Sequence, residues 1–389
     1  MTSRITVLFL LAFGLLPVAF FAFTVPAGAQ EGLQEGLHTD YQGTWSGKVL
    51  EVVSEERREI PGTDTEHLFQ MIRAEILDGP REGEIITFEN DYLELSRGDK
   101  FFFNHNVSIN GNESYGVVSI NRISSLIWLA VIFVLAVVVF GGWQGVRSLI
   151  ALIGSFLVIL YVLLPGLLNG WDPLLASILV ASGILFAAVF FTHGFNRESV
   201  VAYAGTMIAV LLTGVFAYFS VHAANLTGFA AEESVYLNFN TGGTLNFTGL
   251  LLGAIIIGVL GVLDDIAVTQ AAVVNELYRS NREMTRREAY KRAIRVGREH
   301  VGALVNTLVL AYTGVSLPLL LYFYLSPVSF GAAVNSELFA TEIVRIVAGS
   351  LGLILTVPIV TLLAVLYLKG ENASGHSHGH SHGHAHAGH

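Results

Sequence analysis

The sequence predicts a mainly α-helical, polytopic transmembrane helical bundle that carries a small exported β-barrel-like domain. Three observations lead to this fold class. Of 389 residues, 53% are hydrophobic and 13% are charged, a composition typical of membrane proteins with a soluble part. Seven apolar segments of membrane-spanning length follow residue 122. Between residues 31 and 122 the pattern changes to short alternating segments separated by turn residues.

The N-terminal segment, residues 1–29, has the pattern of a secretory signal peptide. Arg4 precedes an apolar run over 5–25, and the small residues Ala27, Gly28 and Ala29 then precede Gln30. The run is about 20 residues long, so an uncleaved anchor helix is the alternative. With either reading, the segment that follows is exported.

The exported domain, residues 31–122, is predicted to contain strands near 44–53, 68–77, 84–88, 100–103 and 115–121. Five short strands in about 90 residues favour a small barrel of the OB or SH3-like kind. This domain holds 18 acids and 8 bases, a net charge of −10, whereas the rest of the chain holds 13 of each. The acidic balance argues against nucleic acid as a partner and suits a domain that gathers cations.

The membrane domain, residues 123–370, is predicted to cross the bilayer seven times. The spans lie near 124–141, 146–168, 173–192, 199–222, 247–269, 302–325 and 343–368. Every second connection is basic, and the external loops 169–172, 223–246 and 326–342 contain no Lys or Arg. By the positive-inside rule this places residues 31–122 outside and the C-terminus in the cytoplasm.

The connection after the fifth span is the most basic segment of the chain. It carries Arg279, Arg282, Arg286, Arg287, Lys291, Arg292, Arg295 and Arg298. Thr285 followed three residues later by Glu288 is a capping box, which predicts a helix from 285 to about 300. This helix is expected to lie against the anionic inner leaflet, or to act as a gating element.

The fifth span carries an acid pair, Asp264 and Asp265, where lipid should still surround the backbone. A charge at that depth costs several kcal/mol, about 3 on insertion scales, unless it faces protein, water or a cation. Helical spacing puts six residues on one small and polar stripe: Gly258, Gly261, Asp265, Thr269, Ala272 and Glu276. The pair either binds or moves an ion or proton, or it hydrogen-bonds another helix and serves packing.

The sixth span carries a second polar set. Asn306 shares a face with Thr313 and Ser316, and Thr307 belongs to a neighbouring stripe of small residues. Pro318 frees a backbone carbonyl, a feature of helices that break around ions. The fourth span has a comparable stripe, namely Ala202, Thr206, Ala209, Thr213 and Ala217, for which helix packing is the favoured interpretation.

The C-terminal tail, residues 371–389, is rich in histidine. The potential ligands are His376, His378, His380, His382, His384, His386 and His389. Such tracts suit Zn, Ni, Co or Cu without choosing among them. The metal could be the transported substrate or merely buffered, and the tail could also be a low-complexity or cloning-derived segment. No other cofactor is expected.

The sequence lacks the signatures of the common catalytic sites. It contains no GxxxxGK[ST] phosphate loop and no HExxH motif. The absence of cysteine excludes thiol catalysis, disulfides and thiolate metal sites. Intramembrane aspartyl proteolysis needs carboxylates on facing helices, whereas Asp264 and Asp265 are neighbours on one helix. We therefore expect that the protein is not an enzyme.

Two blocks, GVLGVLDDIAVTQAAVVNEL at 258–277 and VGREHVGALVNTLVLAYTGVSLPLLL at 296–321, resemble the YibE/F family of bacterial membrane proteins. The resemblance covers roughly residues 120–368. It implies an N-terminal span, an exported domain and a multi-helix region in the bacterial plasma (inner) membrane. The motif positions are Asp264, Asp265, Thr269, Gln270, Asn275 and Glu276, then His300, Asn306 and Thr307. The resemblance names no substrate.

We therefore predict a secondary transporter of a small cation, with a divalent transition metal favoured by the His-rich tail. The expected ion-binding residues are Asp264, Asp265, Thr269, Gln270, Glu276, Asn306 and Thr307. The expected partners are the lipid bilayer, the cation or a proton, and either further copies of the chain or an envelope protein. The alternative is a non-transporting membrane scaffold whose exported domain recruits envelope partners.

Overall fold

The computed structural model describes residues 39–59, 66–108 and 111–369. The predicted signal peptide or anchor helix at 1–29 and the His-rich tail at 371–389 lie outside these residues. The chain divides into two compact units, Met1–Gly141 and Gly142–His389.

The first unit, which we name the β unit, contains a five-stranded antiparallel sheet in the spatial order β3-β2-β1-β4-β5. Its strands are β1 (Thr39–Glu59), β2 (Glu66–Ile76), β3 (Ile85–Asn90), β4 (Lys100–Ser108) and β5 (Glu113–Ile120). All five predicted strands are therefore present. The long strand β1 pairs with both β2 and β4, and register shifts along both pairings bend it.

One face of the sheet carries an apolar core. Alternating residues of β2 and β4 supply it, including Ile72, Phe101 and Phe103, each fully buried. Alternation follows from the period of two along a strand. The sheet thus has a hydrophobic core of its own, whereas its predicted closure into a barrel stays a prediction.

A polar link joins the two outer margins of the sheet. Arg81, in the turn between β2 and β3, donates to Glu113 Oε2 at 2.6 Å and to Tyr115 Oη at 2.8 Å on β5. Tyr115 Oη also donates to Glu113 Oε2, at 2.6 Å. Hydrogen bonds from Tyr115 and Arg81 lower the pKa of Glu113 below its usual range. Burial, with the hydrogen bond to Glu113, raises the pKa of Tyr115 to about 12.

A helical stretch of 46 residues, Ile123–Leu168, follows the sheet. It comprises α1 (Ile123–Val158), a π-helical turn (Ile159–Leu163) and α2 (Leu164–Leu168). Gly142 interrupts α1 with φ 52° and ψ −140°, a backbone conformation that glycine tolerates best. This interruption falls in the predicted gap between the spans 124–141 and 146–168.

The next helices are α3 (Pro173–His193), α4 (Arg197–Ala223), α5 (Glu232–Asn240) and α6 (Phe247–Ser280). Side-chain caps begin the three long ones. Asp172, Asn196 and Asn246 each accept a hydrogen bond from the backbone N–H three residues later. Such caps satisfy donors that a helix N-terminus otherwise leaves unpaired. The long helices match the predicted spans, with α6 extending beyond its span.

The basic segment and the sixth predicted span form one continuous helix, α7 (Arg286–Val315). Thr285 Oγ1 accepts from Glu288 N at 3.2 Å, as the capping box predicts. The helix does not end near residue 300, because no strong helix breaker lies between that point and Ser316. There the axis bends by 60° into α8 (Leu317–Leu325), with Pro318 in the first turn. The helices α9 (Phe330–Asn335) and α10 (Glu337–Tyr367) complete the described chain.

Helix α6 is the centre of the second unit and packs against α3, α4, α7 and α10. Small residues bring the helices together. A Cβ on Gly253 would clash with Ser177 of α3, and one on Gly205 of α4 would lie 2.5 Å from Val360 Cγ2 of α10. The predicted stripe of small residues on α4 is buried, with none of its five members more than 1% exposed. Its interpretation as a packing face is therefore confirmed.

Five helical stretches in the described residues are long and apolar enough to cross a membrane: Ile123–Leu168, α3, α4, α6 and α10. The bent pair of α7 and α8 would make six if it is one span. These helices agree with a membrane protein. The prediction of seven crossings stays a prediction.

Candidate functional site

Helix α6 has two different faces. Its buried face includes Leu263, Ile266, Gln270 and Val274, none more than 3% exposed. Its exposed face is the polar stripe predicted from helical spacing, because Gly258, Gly261, Asp265, Thr269, Ala272 and Glu276 are all exposed. The helix therefore turns its apolar side toward the other helices and its small and acidic side outward.

The acid pair lies at the border between these two faces. Asp264 is half-buried and Asp265 is exposed, since neighbouring residues differ by about 100° around a helix. Asp264 Oδ1 is fully buried and has no hydrogen-bond partner among the described residues. At ~1.5 Å per residue, Asp264 lies roughly 26 Å along α6 from Phe247, within the ~30 Å of a hydrocarbon core. A buried carboxylate oxygen without a partner is costly.

His193 is the last residue of α3. The α3–α4 turn that follows it borders a cavity of about 180 Å³. The lining residues are His193, Asn196, Glu198, Ser199, Ala202 and Val268. A set of polar side chains from the α3–α4 turn thus lies beside the acid-bearing part of α6.

Residue Asn275 ties this turn to α6. Asn275 is 6% exposed, and its Nδ2 donates to Glu198 Oε1. The α3–α4 turn is therefore held by a bond between residues that are 77 positions apart in the chain. Asn275 is one of the motif positions of the resemblance, whereas His193, Asn196, Glu198 and Ser199 were missed. The pattern of Asn196 three residues before Ser199, between two apolar spans, was the signal available in the sequence.

Gln270 lies on the buried face of α6 and has a different role from the residues of the exposed stripe. Its Nε2 donates to Ala293 O of α7 at 3.0 Å and to Thr361 Oγ1 of α10 at 2.7 Å. A Cβ on Gly297 of α7 would lie 3.0 Å from Gln270 Oε1. Gln270 thus cross-links three helices within the core, so its predicted ion-binding role gains no direct support from its surroundings.

The remaining residues of the predicted ion-binding set are exposed. Thr269 and Glu276 are on the outer stripe of α6, and Asn306 and Thr307 are on α7. Thr307 Oγ1 donates to Ala303 O of its own helix at 3.0 Å. The two helices meet elsewhere, for example where a Cβ on Gly258 would lie 3.4 Å from Tyr312 Oη. Among the contacts of the described residues, none joins Asn306 or Thr307 to the acid pair.

The two ends of the bundle differ in charge. The contact between Asn275 and Glu198 and the bond from Tyr278 Oη to Val365 O, 3.3 Å, bring the end of α6 to the start of α4 and the end of α10. Arg197, Arg279, Arg286 and Lys369 flank these helix ends. At the opposite end, the Glu337 carboxylate accepts from Thr227 and Gly228. The cavity thus lies toward the basic end, whereas the acid pair lies midway along α6.

No group of three or more His, Asp or Glu side chains within 39–59, 66–108 and 111–369 is arranged to hold a metal ion. The metal ligands predicted in the tail, His376 to His389, lie outside these ranges. The described part of the chain therefore offers carboxylates and neutral oxygens near the acid pair, but no assembled set of direct metal ligands.

Five helical stretches in the described residues are long and apolar enough to cross a membrane, and one of them carries the acid pair, which agrees with a membrane protein. Residues 129–370, more than half of the chain, match the YibE/F-like protein family. The chain belongs to this family, and the resemblance seen in the two sequence blocks is confirmed. No curated protein and no solved structure shows significant similarity to the chain.

Proposed function

We propose that the protein is a secondary transporter of a small cation and that the acid pair of α6 is its substrate site. The observation that carries this proposal is Asp264 Oδ1, which is buried in an apolar helix and has no hydrogen-bond partner within 39–59, 66–108 and 111–369. Acids inside membrane helices are costly and usually mark ion or proton pathways. A cation that bound there would offset the cost.

The two acids have different roles in this proposal. Asp265 is the leading ligand or proton acceptor, because it is exposed on the polar stripe of α6. Asp264 assists from the buried side, and Thr269 follows Asp265 by one helical turn on the same stripe. Asn306 would contribute to the cation site only if α7 moved toward the acid pair. A divalent transition metal is the favoured substrate, because the tail supplies imidazoles for such ions.

The proposed arrangement has seven crossings in a bacterial plasma (inner) membrane. The interruption at Gly142 supports two crossings within Ile123–Leu168, since 46 residues in one helix would measure about 69 Å. The basic end of the bundle supports a cytoplasmic location for that end and for the tail. The β unit, proposed to close into a barrel, then lies outside.

A flux assay with the full-length protein in liposomes tests the site. Uptake of Zn²⁺, Co²⁺ or Ni²⁺ would be followed with an enclosed metal indicator. We expect Asp265→Asn to lower the initial rate at least about tenfold, because a neutral amide stabilises a cation far less than a carboxylate. Asp264→Asn should lower the rate by a smaller factor.

The matched control is Glu283→Gln, which removes an exposed carboxylate from the loop between α6 and α7 and should leave the rate unchanged. A protein ending at residue 370 separates the tail from the site, and it should still transport metal if the tail only buffers it. If Asp265→Asn moves metal as fast as the parent protein does, the site assignment is wrong.

The alternative is a non-transporting scaffold that uses the β unit to recruit envelope partners. The separate hydrophobic core of that unit favours this reading. The scaffold predicts that Asn replacements of Asp264 and Asp265 lower stability while no ion moves in any variant. Crosslinking of the β unit in cells would then capture a specific envelope partner.

A further inference from the structure

The cavity at the α3–α4 turn combines a polar lining with an unsatisfied buried group. Ser199 lines it and is 3% exposed, and its Oγ is buried without a hydrogen-bond partner among the described residues. Buried hydroxyls normally have a partner from protein or water. Ser199 therefore supplies, beside the cavity, a hydroxyl group to which no described residue bonds.

The size of the cavity suits an ion with its water shell. Its volume of about 180 Å³ is many times the roughly 10–15 Å³ that a cavity needs to hold one water, so an ion and a shell of several waters fit in it. Six waters form the octahedral shell that a small divalent cation such as Mg²⁺ retains in many sites. A bare ion would leave most of this space empty.

The lining groups suit contacts through water rather than direct coordination. Glu198 supplies a carboxylate, and Asn196 and Ser199 supply neutral oxygens. A direct site would need a closer set of His, Asp or Glu ligands, and the described residues contain no such group of three. Bridging waters can connect separated polar groups to a ligand at little cost in binding.

The start of helix α4 would by itself favour an anion, because helix N-termini carry partial positive charge. Two features oppose that here. Asn196 Oδ1 already accepts from Ser199 N at 2.8 Å, and Glu198 places a carboxylate in the first turn. Glu198 is the one carboxylate among the lining residues, and none of them is Lys or Arg, which favours a cation.

We propose that this cavity binds a hydrated cation beside the acid pair. The inference rests on the proposed transport function for its role, which is to hold the ion, still hydrated, before it passes to Asp265. Val268 of α6 lines the same cavity, and Asn275 of α6 donates to Glu198. The ion would thus lose its water only on moving to the acid pair.

Hexaamminecobalt(III) tests the binding site directly, because its ammine ligands do not exchange and it mimics a hydrated cation. Titration calorimetry with the full-length protein in detergent, at physiological salt to screen the acidic β unit, should show saturable binding. Glu198→Gln should weaken that binding at least tenfold. The glutamine keeps an acceptor for Asn275, so the fold should be preserved. Ser199→Ala should weaken binding about threefold.

Glu283→Gln is the control and should bind the probe as the parent protein does. Binding that is absent in the parent protein, or unchanged in both Glu198→Gln and Ser199→Ala, would overturn the proposal. So would saturable binding of inorganic phosphate that these variants alter, because the cavity would then be an anion site.

A separate flux measurement distinguishes this inference from the proposed function. In liposomes, Glu198→Gln should raise the half-saturating Mn²⁺ or Co²⁺ concentration about tenfold and leave the maximal rate unchanged, whereas Asp265→Asn should lower the maximal rate and leave probe binding intact. If the parent protein moves no ion but binds the probe through Glu198, the transport proposal fails and the cation site stands. If Asp265→Asn rather than Glu198→Gln removes probe binding, the proposed location is wrong.

Discussion

The two faces of α6 show how one helix can hold polar residues for opposite purposes. On the buried face, Gln270 bonds to Ala293 of α7 and Thr361 of α10. On the outer face, Asp265 and Thr269 are exposed, and at the border Asp264 Oδ1 has no hydrogen-bond partner in the part of the chain that the structure describes. Satisfied polar groups hold helices together, whereas an unsatisfied acid is retained at a cost in stability. Partnering, rather than polarity, separates structural from functional candidates.

The largest effect should come from the buried face. Gln270→Ala removes two interhelical hydrogen bonds and leaves a void, so we expect it to lower the free energy of unfolding by about 3 kcal/mol. The adjacent variant Thr269→Ala, on the exposed stripe, should change it by less than about 0.5 kcal/mol. Thermal unfolding of both proteins in detergent would measure the difference. Equal losses would contradict the distinction between the two faces.

A smaller change in the free energy of unfolding, of opposite sign, is expected at Asp264, on the border between the two faces of α6. Asp264→Asn should stabilise the protein by about 1 kcal/mol, because a neutral amide costs less to bury than an unpaired carboxylate. The same variant should transport the cation more slowly, which would be a trade-off between stability and activity. Asp265→Asn serves as the exposed control, with little expected change in melting temperature. A lower melting temperature for Asp264→Asn would support the scaffold instead.

The smallest effect concerns a carboxylate that is fully partnered, Glu113 of the β unit. Tyr115 and Arg81 hold its pKa below the ordinary value of 4.5, so its bonds stabilise the sheet above that pH. This contribution should disappear as the pH falls below 4.5 through the lowered pKa. Hydrogen-exchange protection of β5 should therefore drop in acid.

The control for this pH dependence is Glu113→Gln, in which protection of β5 should be lower at neutral pH and should vary less with acid. Arg81 and Glu113 are both partly exposed, so solvent screens the pair and the change should be modest. A parent protein whose β5 protection is constant from pH 6 to pH 3 would show that the link between the sheet margins contributes nothing measurable.

Much of the fold could be predicted from residue patterns. The five strands, the helix cap at Thr285 and the break near Pro318 follow from local rules of turn and cap chemistry. The predicted end of the basic helix near residue 300 was wrong, because a change from basic to apolar composition does not interrupt a helix. The backbone hydrogen bonds continue through both parts.

The candidate site was only partly predictable. Spacing grouped Asp265, Thr269 and Glu276 on one stripe, and the structure keeps them together. Gln270 belongs instead to the core, although it is a neighbour in sequence. The cavity at the α3–α4 turn depends on the contact between Asn275 and Glu198, and no local pattern links such distant positions.

The sequence by itself determined the long apolar helices, the strands of the β unit, the family and the presence of an acid pair within an apolar helix. Only the tertiary structure decided which face of α6 is covered and which polar groups acquire partners. The physical reason is that lipid and helix interiors are both apolar. Hydrophobic periodicity therefore shows which residues share a face, but contact between distant helices decides whether that face meets lipid, water or protein.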